Sequence, residues 1–142
     1  MPYLFDTDAI SELFKPRPAP GYVAWLAELP RDAQFTSAVV MAELYRGAFR
    51  SAARDRHLTN IETRVIPAVT VLPFDTAVAK IYGEIAAQLE AMGMMLADAD
   101  MQIGATAIHF GLEVVTGNLR HYGRIPGLTV NPVLAQARVD RG

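Results

Sequence analysis

The sequence predicts one α/β domain in which helices cover both faces of a parallel β-sheet. Segments typical of short buried strands alternate along the chain with amphipathic helical segments, which is the pattern of a three-layer α/β/α sandwich. The 142 residues are 51% hydrophobic and 20% charged, so the chain is long and apolar enough for one substantial core. No internal repeat, low-complexity tract or linker divides it.

In the first half, two short strands alternate with four helices. Proline at positions 16 and 18 ends the first helix, because it lacks the N–H that a helix interior uses, and Ser37 is a favoured N-cap for the third. The predicted strands are Tyr3–Phe5 and residues 34–36, and the predicted helices are residues 8–14, 21–29, 39–52 and 55–64.

The second half predicts three more strands and two longer helices. Asp75 caps a helix that ends at Gly93, and a further helix over residues 98–110 ends at Gly111. The predicted strands are residues 69–72, which look buried, 113–116 and 128–130. We expect the folded domain to span residues 1–134 and residues 135–142 to form a polar tail.

Composition excludes several classes of protein. The chain has no cysteine, which excludes disulfides and thiolate metal sites, and its net charge of −2 does not indicate a general nucleic-acid binder. No apolar run approaches the roughly 18–20 residues of a membrane span, and the start lacks the layout of a signal peptide. We therefore expect a cytoplasmic protein without membrane contact.

The clearest candidate for chemistry is Asp6, which directly follows the first predicted strand and precedes Thr7 and Asp8. Open α/β sheets bind ligands outside the carboxyl ends of their strands. Capping of the following helix by Asp6 or Thr7 explains the same pattern equally well. Both explanations stay open for this stretch alone.

Three further polar residues are expected near the same sheet edge: Glu43, Asp100 and Asn118. Taken singly, Glu43 is explained as a solvated helix acid, Asp100 as a first-turn acid favoured by the helix dipole, and Asn118 as a turn residue. Taken with Asp6, they suggest oxygen ligands converging on a cation, since unpaired carboxylates repel one another. Hard oxygen ligands favour Mg²⁺ or Mn²⁺, which activates water for attack on a phosphodiester.

Five blocks of sequence, in order along the chain, resemble the PIN-domain proteins, specifically the toxins of VapBC-type toxin–antitoxin pairs and their FitB-like branch. The blocks are Leu4-Phe5-Asp6-Thr7-Asp8-Ala9-Ile10-Ser11-Glu12-Leu13, then Thr36-Ser37 with Ala42-Glu43-Leu44 and Gly47, then Asp100-Met101-Gln102-Ile103-Gly104-Ala105-Thr106-Ala107, then Gly111-Leu112-Glu113-Val114-Val115-Thr116-Gly117-Asn118, and finally Val130-Asn131-Pro132.

The resemblance implies a sheet of five parallel strands and a divalent-metal ribonuclease that is the toxin of a type II toxin–antitoxin module. It carries over Asp6, Glu43 and Asp100 as direct or water-mediated Mg²⁺ ligands, with Asn118 orienting the ion or its waters. It also implies a homodimer, an antitoxin whose tail blocks the acidic groove, and DNA contact only through that antitoxin.

Four further residues are assigned supporting roles under this hypothesis. Thr7 and Thr116 place substrate oxygens or ordered waters, while Arg46 or Arg50, about one and two turns beyond Glu43, steers the RNA backbone. A solvated helix face is the commoner explanation of the arginine-rich segment around them.

The chain departs from the family pattern at three positions. Asp8 stands where asparagine is frequent, which favours a helix-start residue or an indirect charge over a direct ligand. Gly117 stands where arginine is common, and His121 stands where many relatives have aspartate. Asp98 is a candidate to replace that aspartate, so the number of metal ions, one or two, stays open.

Two other functions compete with this hypothesis. A haloacid-dehalogenase-type phosphatase also has Asp-x-Asp after a strand, but it needs a later catalytic lysine, and the only lysines are Lys15 and Lys80. A non-catalytic or weakly catalytic subunit of an antitoxin–DNA complex is the other alternative, and nothing in the sequence excludes it.

Overall fold

The computed structural model describes residues 2–141, which form helical layers around one parallel sheet. Over these residues the strands are β1 (Tyr3–Phe5), β2 (Gln34–Ser37), β3 (Thr70–Leu72), β4 (Glu113–Val115) and β5 (Val130–Asn131). They lie in the order β3-β2-β1-β4-β5, and every neighbouring pair is parallel. The predicted α/β/α fold with five parallel strands is confirmed.

Six of the eight helices within residues 2–141 lie close to their predicted positions, and the last two were not predicted. They are α1 (Thr7–Glu12), α2 (Pro20–Ala27), α3 (Ala38–Arg50), α4 (Arg54–Asn60), α5 (Thr76–Ala91), α6 (Asp98–Phe110), α7 (Leu119–Tyr122) and α8 (Val133–Asp140). No helix within residues 2–141 has the length and hydrophobicity needed to cross a membrane.

Two predicted elements differ from the structure. The helix expected over residues 55–64 is α4 followed by a wider π turn over Ile61–Val65, which runs into a short 3₁₀ turn at Pro67. The strand expected to be buried, residues 69–72, is β3 at the edge of the sheet, where Val71 is 40% exposed. Thr70 and Val71 are exposed, whereas Leu72 and Val69, just before β3, are buried, so the segment is buried only in part.

The C-terminal segment also differs from its prediction. Residues 135–140, expected as part of a polar tail, belong to α8, which packs against α2. Leu134 and Ala137, spaced by three residues, are buried on the inner side of α8. The short apolar stripe was too small to stand out against the polar residues around it.

The sheet reverses its direction of growth at β1. The chain adds β2 and β3 on one side of β1, and later β4 and β5 on the other. Leu4, Val114 and Val115 at this junction have no exposed surface, because helices cover both faces. Such a reversal opens a crevice at the carboxyl ends of the two central strands, where open α/β sheets bind ligands.

Candidate active site

Asp6 leaves β1 at this crevice, and its backbone is held on the β4 side. Its N–H donates to the carbonyl oxygen of Val115 over 3.2 Å, just beyond the pairing of Phe5 with Val115. Thr116 follows β4 at the same level and is fully buried, and its Oγ1 accepts from the N–H of Asn118 over 2.9 Å. The two chain segments that leave the central strands therefore lie side by side.

The Asp6 carboxylate caps α1 and is almost fully buried. Its Oδ1 accepts from the N–H of Ala9 over 2.8 Å, and 4% of the residue is exposed. Burial raises the pKa of Asp6 to about 7, and hydrogen bonds from Thr116 and Ala9 only partly offset this. The nearby charges of Asp8 and Asp100 raise it further. The cap is thus confirmed, and because it uses Oδ1 it is compatible with a role in the site.

Glu43 on α3 is tied to the first turn of α1. Ser37 caps α3 by accepting from the N–H of Val40 over 3.0 Å, which fixes where that helix begins. Glu43 is half-buried, and its Oε1 accepts from the Thr7 hydroxyl over 2.5 Å. This short, charge-assisted bond holds the Glu43 carboxylate next to the turn that Asp6 caps.

Asp100 lies in the first turn of α6 and is half-buried. Burial raises the pKa of Asp100, and the charge of Glu43 raises it further. His121 and a weak hydrogen bond of 3.4 Å from the Tyr122 hydroxyl oppose this shift. Asp100 therefore senses the charge of Glu43, and Asp6 senses that of Asp100, so the three carboxylates share one electrostatic environment.

Asn118 caps the single turn of α7. Its Oδ1 accepts from the N–H of His121 at 3.4 Å, and its Nδ2 lies 2.8 Å from Nδ1 of the same residue. The sequence left two alternatives for Asn118, a turn residue or a residue of the site. Its half-buried side chain is compatible with both. Helix α7 was not predicted, because a one-turn helix after a strand reads as a loop.

The four predicted side chains line one open depression of about 560 Å³, called here the acidic depression. Its full lining is Asp6, Thr7, Asp8, Ser11, Glu43, Asp100, Gly117, Asn118, Tyr122 and Arg138. The structure thus brings Asp6, Glu43, Asp100 and Asn118 together at the crevice, and their chemical roles stay predictions.

Four other predicted residues lie outside this lining: Asp98, Thr116, Arg46 and Arg50. Asp98 is exposed and accepts a hydrogen bond of 2.9 Å from the Tyr82 hydroxyl, because residues two apart on a helix face different directions. It is therefore not placed beside Asp100 to replace a missing ligand. Arg46 and Arg50 are exposed on α3, the helix that carries Glu43.

Arg138 is a lining residue to which the sequence assigned no role, as are Ser11 and Tyr122. Its guanidinium donates to both carboxylate oxygens of Asp8 over 2.9 Å each and to Oε1 of Glu12 over 2.8 and 3.0 Å. These partners precede it by 130 and 126 residues, so no local motif signals the contact. Asp8 is consequently an ion-paired residue at the start of α1, as its departure from the family pattern suggested.

The acidic depression supplies donors suited to a hard divalent cation, although they are not pre-arranged around one point. Among residues 2–141 no three His, Asp or Glu side chains, as placed, lie close enough together to hold a metal ion. The raised pKa values of Asp6 and Asp100 arise from burial and from neighbouring acids, conditions that favour a bound cation. Carboxylate and amide oxygens are the ligands that Mg²⁺ prefers.

We expect the free energy of unfolding without metal to fall as the pH rises from about 4 to 7. The pKa of Asp6 is about 7 in the folded chain against an ordinary value of 3.8, so the folded state binds the extra proton in this window. Stability then decreases with pH, by roughly 4 kcal/mol at most. Urea unfolding at pH 5 and pH 8 in EDTA measures this change. Asp6→Asn is the control, which should lose most of the pH dependence. An equal dependence on pH in the wild type and in Asp6→Asn would contradict the raised pKa.

Similarity to known proteins extends over most of the chain. The family model described as PIN domain matches residues 3–127. Toxin FitB of Neisseria gonorrhoeae is 36% identical over 118 residues, which cover 80% of this chain and 85% of the relative. The tRNA(fMet)-specific endonuclease VapC of Salmonella typhimurium is 32% identical over 128 residues, which cover 90% of this chain and 95% of the relative.

The fold is shared as well as the sequence. In the crystal structure of DNA bound VapBC from Salmonella typhimurium, one chain matches with a TM-score of 0.82 and 30% identity, covering 92% of this chain and 97% of that one. These matches confirm the resemblance that the five sequence blocks indicated. The chain belongs to the PIN-domain family, in the group of the VapC and FitB proteins.

Proposed function

We propose that this chain is a metal-dependent endoribonuclease and the toxin of a toxin–antitoxin pair. The observation that carries this proposal is the gathering of Asp6, Glu43 and Asp100 in one depression at the β1–β4 crevice. Its relatives support the reaction type, since one is named a tRNA(fMet)-specific endonuclease and another a toxin.

Asp6, Glu43 and Asp100 would hold Mg²⁺ or Mn²⁺, and Asn118 would orient the ion or its waters. When bound, the cation supplies positive charge to the scissile phosphate and lowers the pKa of an attacking water. The carboxylates are not close enough together as placed, so the proposal requires that they draw together on binding. Thr7 donates to Glu43 and Tyr122 donates to Asp100, so these two contacts would have to adjust as the carboxylates draw together.

An RNA strand has an open path to this depression. A neighbouring groove shares Thr7, Ser11 and Glu43 with it and continues to Lys15 and His57. Lys15 pairs with Glu12, but half of its side chain is exposed, and it is proposed to attract the phosphate backbone without reading sequence. The exposed Arg46 and Arg50, on the same helix as Glu43, are also proposed to steer RNA.

The proposed partners are an antitoxin, a second copy of this chain and, through the antitoxin only, DNA. The solved Salmonella relative is a VapBC complex bound to DNA, which supports an assembly of this kind. The same observation favours the alternative that the chain acts as a binding subunit with little catalysis. RNA cleavage by the isolated chain separates the two functions.

Mg²⁺ is expected to raise the melting temperature of the wild-type chain near pH 7.5. A ligand at 100 times its Kd adds about 2.7 kcal/mol to the free energy of unfolding. Asp6→Asn and Asp100→Asn should lose most of this shift, because each removes a charged ligand. Asp98→Asn is the matched control, since Asp98 lies on the same helix as Asp100 but outside the acidic depression.

Thermal unfolding followed by fluorescence, with and without Mg²⁺, measures these shifts. Equal shifts in the wild type and Asp6→Asn would contradict the assigned metal site. A wild type with no shift at millimolar Mg²⁺ or Mn²⁺ would contradict metal binding itself.

A further inference from the structure

The guanidinium of Arg138 joins three parts of the chain at the rim of the acidic depression. From α8 it donates hydrogen bonds to the carboxylate of Asp8, in the first turn of α1, and to that of Glu12, the last residue of α1. The same Asp8 carboxylate accepts from the N–H of Gly117 over 3.2 Å. One side chain therefore connects α8, both ends of α1 and the loop between β4 and α7.

Gly117 is glycine because this guanidinium occupies the space beside it. A Cβ at position 117 would overlap Nη1 of Arg138 and Oδ2 of Asp8 and would lie 2.9 Å from Cζ of Arg138. The backbone does not itself require glycine there, since Gly117 is not among the glycines with positive φ. The space beside Gly117 is therefore filled by the side chain of Arg138, which lies near the other end of the chain.

The ion pairs divide the acids near the crevice into two groups. Throughout residues 2–141, the salt bridges of this region go to Asp8 and Glu12, and none goes to Asp6, Glu43 or Asp100. Arg138 is held by a bidentate contact and is about one-quarter exposed at its side chain, so its position is well defined. It balances Asp8, two residues from Asp6, without contacting the three carboxylates themselves.

We propose that Arg138 is a positioning residue of the active site. Through Asp8 it holds the loop that carries Asn118 against the turn of α1 that carries Asp6 and Thr7. Helix α8 thereby completes the site from outside residues 3–127, the part that the family model matches. This inference rests on the proposed ribonuclease function and adds a residue and a helix to its site.

Arg138→Met is the main test, because methionine keeps much of the apolar stem and removes the guanidinium. We expect kcat for RNA cleavage in Mg²⁺ to fall about 10- to 100-fold, as for other groups that orient a metal site, with KM changed less. The N–H of Gly117 should exchange with solvent faster, since its acceptor is no longer fixed. Arg138→Lys keeps the charge but not the paired N–H donors of the guanidinium, so its kcat should lie between those of Arg138→Met and the wild type.

Arg141→Gln is the matched control, because it removes the same charge from the end of the same helix. Arg141 lies 4.0 Å from Glu12, but within residues 2–141 its described contacts do not include Asp8 or Gly117. It should leave both kcat and the exchange of the Gly117 N–H close to wild type. Equal losses in Arg138→Met and Arg141→Gln would show a general charge effect and overturn the positioning role.

Gly117→Ala tests the same contact from the other side. Its Cβ should displace the guanidinium and the Asp8 carboxylate and lower kcat in the wild-type background. It should cost less in an Arg138→Met background, where Nη1 and Cζ are absent and Asp8 is no longer held in place. Residues in direct contact show such non-additivity. Strictly additive losses would overturn the proposal.

The exchange measurement separates this proposal from the proposed function. If the wild type cleaves no RNA, the ribonuclease function fails, and exchange of the Gly117 N–H decides the positioning role alone. Unchanged exchange in a folded Arg138→Met or Arg138→Lys protein would overturn that role, and faster exchange at this N–H with an unchanged core would support it.

Discussion

Asp6→Asn is expected to abolish RNA cleavage and, at the same time, to stabilise the fold near neutral pH. Asparagine keeps the oxygen that caps α1 by accepting from Ala9, so the local structure should persist. It removes the charge that the proposed metal site needs. We expect a loss well beyond 100-fold, because even groups that only orient a metal ligand are worth about 10- to 100-fold.

The stability gain follows from burial of the same carboxyl group. At pH 8 the wild-type Asp6 carries a charge that burial disfavours, as its raised pKa shows, whereas asparagine is neutral. The free energy of unfolding should therefore rise, by roughly 4 kcal/mol at most. Urea unfolding and initial cleavage rates, measured on wild type, Asp6→Asn and the control Asp98→Asn, give both quantities. A variant that is less stable than wild type would contradict the raised pKa of Asp6, and an equally active variant would contradict its role in cleavage.

Glu12→Leu is expected to lower the free energy of unfolding by about 3–5 kcal/mol, the usual cost of breaking a buried ion pair on one side. Glu12 has no exposed surface and accepts from Lys15 over 2.9 Å, from the N–H of Ala19 over 2.9 Å, and from Arg138. Leucine leaves the N–H and the guanidinium without this acceptor. Urea unfolding at pH 7 measures the effect, and a loss below about 1 kcal/mol would contradict it.

Glu12→Gln is the matched control, because its amide oxygen can still accept from Ala19 while the charge is lost. It should cost less than Glu12→Leu. Burial alone would raise the pKa of Glu12, but bonds from Lys15, Ala19 and Arg138 lower it from 4.5 to about 2. The stabilisation is thus complete above about pH 4.5 and is lost as the pH falls toward 2, the opposite sense to Asp6.

The fold could be predicted because its determinants are local. The β1 pattern, the Ser37 and Asp75 caps, and the Gly93 and Gly111 stops act within a few residues of the elements they delimit. The prediction that Asp6 and Asn118 lie at one edge needed only the parallel arrangement of the strands. Polar residues that follow neighbouring parallel strands must come close.

The parts that could not be predicted depend on contacts distant in sequence. Arg138 completes the rim of the acidic depression across 130 residues, from a helix whose apolar stripe is only two residues long. Asp98 matched a pattern in the sequence, but its direction on α6 turns it toward Tyr82. Pattern alone also cannot tell a paired acid such as Glu12 from an acid without an ion pair such as Asp6.

Cleavage of labelled RNA by the purified chain alone, in EDTA and then after excess Mg²⁺, tests most directly whether the acidic depression is a metal-dependent ribonuclease site. We predict no cleavage in EDTA, cleavage once Mg²⁺ is restored, and none at either stage with Asp6→Asn. Cleavage that persists in EDTA or survives Asp6→Asn would contradict the proposed site. A folded, Mg²⁺-supplied wild type that cleaves no RNA would contradict the enzyme and favour the binding-subunit alternative.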